Sequence, residues 1–160
     1  MAEIASREHP GRIVVGVDGS DPSKEALLWA SQEAELSGAL LEVVWVWEMP
    51  ITAQGRVMQV PGELDYAVEA EHKLQETIRG VLGDSYDSQS RWPSTRLKTV
   101  VLEGRPGSTL LEVAKGADML VVGHSRHGAA VGMLLGSVSE HCIGQASCPV
   151  VVVHSWKRAA

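Results

Sequence analysis

The sequence predicts a doubly wound α/β fold of Rossmann-like type: a five-stranded parallel sheet with helices on both faces. Val-rich apolar runs alternate with helix-like stretches five times along the chain, the pattern of parallel strands joined by right-handed crossovers. The run Leu40 to Trp47 is apolar at nearly every position instead of every second one, so it is a strand buried on both faces. No linker and no internal repeat interrupts the series. At 160 residues the chain is the size of one domain, read as 1–160 with a core of about 11–154 between polar tails.

The first strand is Arg12 to Val17. Asp21 is a plausible N-cap for the helix that follows, and Pro22 suits a first helical position. Leu27, Ala30 and Ala34 recur at helical spacing, and Gly38 is placed to stop the helix. Leu40 to Trp47 is the second strand. Glu48 to Gly62, with two prolines and two glycines, is a connection. A longer helix follows to about Leu82, with Ala67, Leu74, Ile78 and Val81 on one stripe, and Gly83 to Ser94 is a polar loop. Leu97 to Glu103 is the third strand, Ser108 to Lys115 a short helix, and Met119 to Val122 the fourth strand. A Gly-rich segment spans Gly123 to Gly136, then a helix from Ser137 to Ala146, and Val150 to His154 is the fifth strand.

Charge and composition exclude several classes. Fourteen Lys and Arg against 20 Asp and Glu leave a formal charge of −6, with no basic stripe, which argues against a nucleic-acid partner. No apolar run reaches the roughly 20 residues of a membrane span. The first ten residues are polar and charged and lack the apolar centre of a secretory signal, so the expected location is the cytoplasm. Cys142 and Cys148 would close only a small loop and form no disulfide framework. Five Trp stand where Phe is absent, and they read as core and interface packing. Alternation puts Trp45 and Trp47 on the same face of their strand, with stacking on a base as an alternative use.

In doubly wound folds ligands sit beyond the carboxyl ends of the strands, where strand order reverses. The residues there are Asp18, Val46 to Glu48, and Gly123 onward. Val121-Val122-Gly123 ends a strand, and Gly136-Ser137 opens a helix after a loop of small residues. Free N–H groups at such a helix start, with its dipole, can hold phosphate oxygens, and Ser137 is placed to cap the helix and donate its hydroxyl. The competing reading is an ordinary capped strand-to-helix connection. Gly104 to Thr109 lacks the Gly-Lys pair of a P-loop and reads as a turn and helix start beside the cleft, with Arg105 nearby.

No metal site is expected. Cys142 and Cys148 lack ligand spacing and read as small buried apolar residues, while His124 and His127 line the loop or meet solvent. No nucleophile elbow or placed carboxylate pair supports hydrolysis, so the protein is not expected to be an enzyme. Asp18 is the one well-placed carboxylate, either orienting a ligand or its metal, or serving as a helix-entry turn residue.

Several segments together resemble the universal stress protein family. They are Val14 to Ser20, Asp118 to Gly123, the nine residues His127 to Leu135 before Gly136-Ser137, Leu134 to Ser139, and Cys148 to Val153. The resemblance covers Gly11 to His154. It implies a dimeric, adenine nucleotide-binding-like fold, and a stress-response regulator that binds ATP, with or without Mg2+, and hydrolyses it at most slowly and incidentally. By position it places Asp18 and the backbone near Val46 beside the adenine and Gly123 at the ribose and phosphates, with Gly16, Val17 and Val122 also among the nucleotide-binding residues. Gly136, Ser137 and Val138 would hold the phosphates. Members that bind ATP carry G-x-x-G-x9-G-S/T, and here the second glycine is Arg126. That arginine either fills the phosphate space or pairs with the phosphates through its guanidinium. The alternative is therefore a nucleotide-free dimeric interaction module with Arg126 closing the site. The resemblance also implies a homodimer through Val150 to Val153, an apolar strand expected at a sheet edge. On the same grounds Ser137 and Ser139 are candidate phosphorylation sites.

Overall fold

A computed structural model describes residues 10–49, 63–83, 96–124 and 135–154. The elements run β1 (Arg12–Val17), α1 (Asp21–Ser37), β2 (Leu40–Trp47), α2 (Glu63–Leu82) and β3 (Leu97–Glu103). Then come α3 (Pro106–Val113), β4 (Met119–Gly123), α4 (Ser137–Gln145) and β5 (Val150–Val153). The sheet is parallel throughout, in the order β3-β2-β1-β4-β5. The chain winds outward from β1 through β2 to β3, then returns to place β4 on the other side of β1. The reversal falls between β1 and β4. As expected, β5 is an edge strand.

Alternation along the strands sends side chains into two cores. Ile13, Val15, Val17, Val43, Trp45 and Val121 face α1 and α2, meeting Leu27, Ala30, Leu74 and Ile78. Val14, Val44, Leu120 and Val122 face α3 and α4, meeting Leu110, Ala114 and Cys142. Each fully buried Leu or Ile contributes about 1.5–3 kcal/mol relative to exposure. Small residues at Ala26, Ala30 and Ala34 let α1 lie close on the sheet.

At the amino ends of the strands a buried carboxylate joins the layers. Glu42 is 4% exposed. Its two oxygens accept hydrogen bonds from Arg12 Nη1 at 2.6 Å and Lys98 Nζ at 2.7 Å. Arg12 also donates to the carbonyls of Val113 at 3.0 Å and Lys115 at 2.6 Å, fastening the end of α3 to β1. Burial alone would raise the Glu42 pKa, but the hydrogen bonds and charges of Lys98 and Arg12 outweigh it and hold it below the usual carboxylate range.

Several boundaries differ from expectation. The N-cap of α1 is Ser20, not Asp21: its Oγ accepts from Ser23 N at 3.4 Å, and Asp21 begins the helix. The segment offers several capping-competent side chains in a row, and the fold of the turn around Asp18 decides which one caps. Helix α3 starts at Pro106, two residues early, because a proline needs no N–H partner in a first turn. Strand β4 extends to Gly123, and β5 stops at Val153, before His154. Gly38 ends α1 at φ 70°, as expected of a glycine cap.

Candidate functional site

At the β1–β4 reversal, beyond the carboxyl ends of the strands, lies a cleft of about 550 Å³, within the size range of small-molecule sites. Its floor is Val44 and Val46 of β2, Gly16 and Val17 of β1, and Val122 and Gly123 of β4. One wall is Asp18, Ser20 and Ser23 at the start of α1. The other is Gly136 to Glu140 at the start of α4, and Pro106 and Leu110 of α3 close the side.

The two glycines of the floor act through packing. A Cβ at Gly16 would stand 2.7 Å from Leu110 Cδ1, so the bare backbone there lets α3 approach. A Cβ at Gly123 would stand 2.5 Å from the carbonyl carbon and oxygen of Pro22 and 2.7 Å from Ser23 N. Gly123 is thus the contact at which the end of β4 meets the first turn of α1.

Asp18 serves the helix-entry turn. Its Oδ1 accepts from Ser20 N at 3.0 Å and from Ser20 Oγ at 2.5 Å, which fixes the cap of α1. It also lines the cleft, so the two readings of this residue are compatible.

The opposite wall is a helix start open to an anion. Gly136 occupies the N-cap position of α4 and has no side chain to cap with. Ser137 is the first helical residue and not the cap, a correction to the expected capping role. The first intrahelical bond runs from Glu140 N to Gly136 O at 2.9 Å. The N–H groups of residues 137–139 therefore have no acceptor within the helix. Ser139 is buried and its Oγ donates to Gly123 O at 2.9 Å, locking this helix start onto β4.

The structure brings Gly16, Val17, Asp18, Val46, Val122, Gly123, Gly136, Ser137 and Val138 to this one cleft. Arg126 and His127 lie outside the described residues. Sequence reasoning missed Ser20, Ser23, Val44, Leu110, Leu135 and Glu140 as lining residues. The even-numbered register of β2 could have found Val44, since it shares the face of Val46. Of the turn at Gly104 to Thr109, Pro106 borders the cleft, while Arg105 is exposed and outside its lining.

Other expectations resolve as follows. Trp45 and Trp47 do share one face, but it is the α1 and α2 face, opposite Val44 and Val46, so neither ring lines this cleft. Trp47 stacks on Tyr66, centroids 6.2 Å apart and 13° between planes. His124 is buried, not at solvent, with its ring 4.5 Å from that of His154. Cys142 is buried and free, and Cys148 is half-buried and free. Burial, and secondarily Cys148, pushes the Cys142 thiol up to about 11. Burial also raises Cys148, partly offset by Arg12. Among the described residues no cluster of three or more His, Cys, Asp or Glu could hold a metal ion, and no helix is long and apolar enough to cross a membrane.

Comparison with known proteins accords with this architecture. A family model described as the universal stress protein family matches residues 10–154. A universal stress protein of Mycobacterium tuberculosis is 35% identical over 143 residues, covering 88% of this chain and 44% of the relative. The chain thus spans about half the length of the curated relatives it matches. Among solved structures, a universal stress protein in complex with cAMP is 26% identical, with a TM-score of 0.57 over 90% of this chain and 96% of that one. A family member from Arabidopsis thaliana with AMP bound shares the fold at 17% identity, with a TM-score of 0.57 over 92% and 94% of the two chains. The matched span, the sheet order and the relatives lead to one conclusion: this chain belongs to the universal stress protein family.

Proposed function

We propose that the cleft binds an adenine nucleotide, ATP with Mg2+ carried on its phosphates, and that the protein is a cytoplasmic stress-response regulator acting as a homodimer. The observation that carries the reading is the convergence of residues far apart in the chain, from Gly16 to Val138, on one cleft of about 550 Å³. Its two ends suit the two ends of a nucleotide. The apolar floor of Val44, Val46 and Val122 offers a surface for a base. The uncapped start of α4 offers backbone donors and a positive dipole end to phosphates. The universal stress protein solved with cAMP lends support from outside the chain.

Binding, not turnover, is the proposed output. Asp18 is held by Ser20 in a turn, a positioning role more than that of a general base. Nucleotide joining the β1, β4 and α4 ends of the cleft would favour one arrangement of them and so change the surface shown to partners. The edge position of β5, with four apolar residues all partly exposed, supports pairing with the same strand of a second copy. Val151→Glu should convert the dimer to a monomer in sizing experiments while circular dichroism stays unchanged. An unchanged elution volume would count against strand pairing.

The nucleotide reading is tested by thermal unfolding with and without millimolar ATP and Mg2+. A ligand at 100 times its Kd adds about 2.7 kcal/mol, a rise of roughly 5–10 °C for a domain this size. A rise that disappears in Gly136→Val supports the cleft. No rise, with no nucleotide in the purified protein, favours the nucleotide-free interaction module.

A further inference from the structure

Helix α4 begins without a side-chain cap, because Gly136 at the cap position has no side chain. The one buried hydroxyl of its first turn, Ser139 Oγ, is spent on Gly123 O at 2.9 Å. The charged group of that turn is the carboxylate of Glu140. Glu140 borders the cleft and is exposed. Among the described residues no ion pair engages it. A carboxylate in the first turn of a helix is favoured by the dipole, as a phosphate is. In the ligand-free protein Glu140 is thus the anion that this helix end already has.

The rest of the described lining does not offset that charge. Among the described residues no Lys or Arg borders the cleft, and its other carboxylate, Asp18, is engaged by Ser20. A phosphate arriving at the N–H groups of residues 137–139 meets a like charge in the same turn. That repulsion grows with the charge of the ligand. Contact of a base with Val44 and Val46 does not depend on it.

We propose that Glu140 is a specificity-determining residue that makes the cleft select among adenine nucleotides by net charge. It disfavours a free triphosphate most. A monophosphate, or a triphosphate half-neutralised by Mg2+, is disfavoured least. The apolar floor and the backbone donors set which molecule binds, and Glu140 sets the charge that molecule can carry. The inference rests on the nucleotide reading of this cleft and adds to it a rule for the charge state of the ligand.

The test is calorimetric titration of the full chain near neutral pH and at low salt, with AMP, ATP in EDTA, and ATP with Mg2+. Glu140→Gln should tighten binding of free ATP about tenfold and of the other two about threefold, since half the charge carries half the repulsion. The gain should shrink at about 0.5 M salt, because an exposed carboxylate is screened. Glu140→Asp keeps the charge and should keep the wild-type order of affinities. A purely structural role for Glu140 would change all three affinities by the same factor. Equal gains for the three ligands, or no gain for any, overturn the proposal and leave the nucleotide reading standing. No binding of any ligand by either protein overturns the nucleotide reading, and this inference with it.

Discussion

The hydroxyl of Ser139 donates to the carbonyl of Gly123 across 2.9 Å, and this single bond couples the start of α4 to the end of β4. Both groups belong to walls of the same cleft. The bond ties the first turn of α4 to a carbonyl at the end of β4. Ser139→Ala should lower stability by about 1–2 kcal/mol, a lost hydrogen bond with its acceptor left partly unsatisfied. It should also reduce the rise in Tm that the proposed ATP binding would give. Differential scanning fluorimetry of both proteins, with and without ligand, separates the two effects. A variant with lowered Tm and an undiminished ATP response would show that the bond serves stability alone. Burial of this hydroxyl also makes Ser139 a poor phosphorylation acceptor beside exposed Ser137.

Gly16 and Gly123 both lack space for a Cβ, but against different neighbours. At Gly123 the obstruction is the Pro22 and Ser23 backbone, 2.5 to 2.7 Å away, which cannot move without displacing the start of α1. At Gly16 it is the methyl end of Leu110, which can rotate. Gly123→Ala should therefore cost about 3 kcal/mol or more, and Gly16→Ala about 1 kcal/mol, within the range of overpacked cores. Urea denaturation midpoints give the comparison. Equal losses at the two positions would contradict the distinction between backbone and side-chain obstruction.

Glu42 should make the protein acid-labile in a defined window. Its pKa is lowered in the folded state, so the folded protein holds that proton less tightly than the unfolded chain does. The resulting stability is fully present above the ordinary carboxylate pKa and is lost as pH falls through the depressed folded value. Glu42→Gln should lose about 1–3 kcal/mol at pH 7, the scale of hydrogen bonds to a charged group. That deficit should shrink toward pH 3, because the wild type is then losing the same charge. Urea midpoints from pH 7 to 3 for both proteins test the convergence; parallel curves would mean that Glu42 does not carry the acid dependence.

How far the fold could be read in advance follows from the range of the forces involved. The bounds of β1, β2 and β3 were legible because apolar runs and flanking turn residues are local signals. The edge position of β5 was legible too. Local signals could not choose Ser20 over Asp21 as the cap, since several side chains compete within one turn and Asp18 decides between them. Nor could they reveal why Gly123 is glycine. Its neighbour is Pro22, a hundred residues away in sequence, and that proximity exists only after β4 inserts beside β1. The same holds for Leu110 against Gly16. Burial of His124 was missed because its register continues the inward face of β4 beyond the strand's last residue.

The last prediction concerns Arg126, which lies outside the described residues. The ionisable side chains among the described residues of the first cleft are Asp18 and Glu140, both acidic. A triphosphate entering that space meets backbone donors from α4 but two carboxylates and no described cation. Backbone N–H groups and half a charge of helix dipole do not balance several negative charges. Even with the proposed Mg2+ on its phosphates ATP stays net negative, so a nucleotide site built this way calls for a further cation, and Arg126 is a candidate in the motif itself. Arg126→Gly, although it restores the second glycine of the motif, should therefore weaken ATP binding about tenfold, the worth of one charge-assisted pair. AMP, with fewer charges, should lose less. Calorimetric titration of both nucleotides against both proteins gives the four affinities needed. Tighter ATP binding by Arg126→Gly would reverse the assignment and make the arginine a plug in the phosphate space.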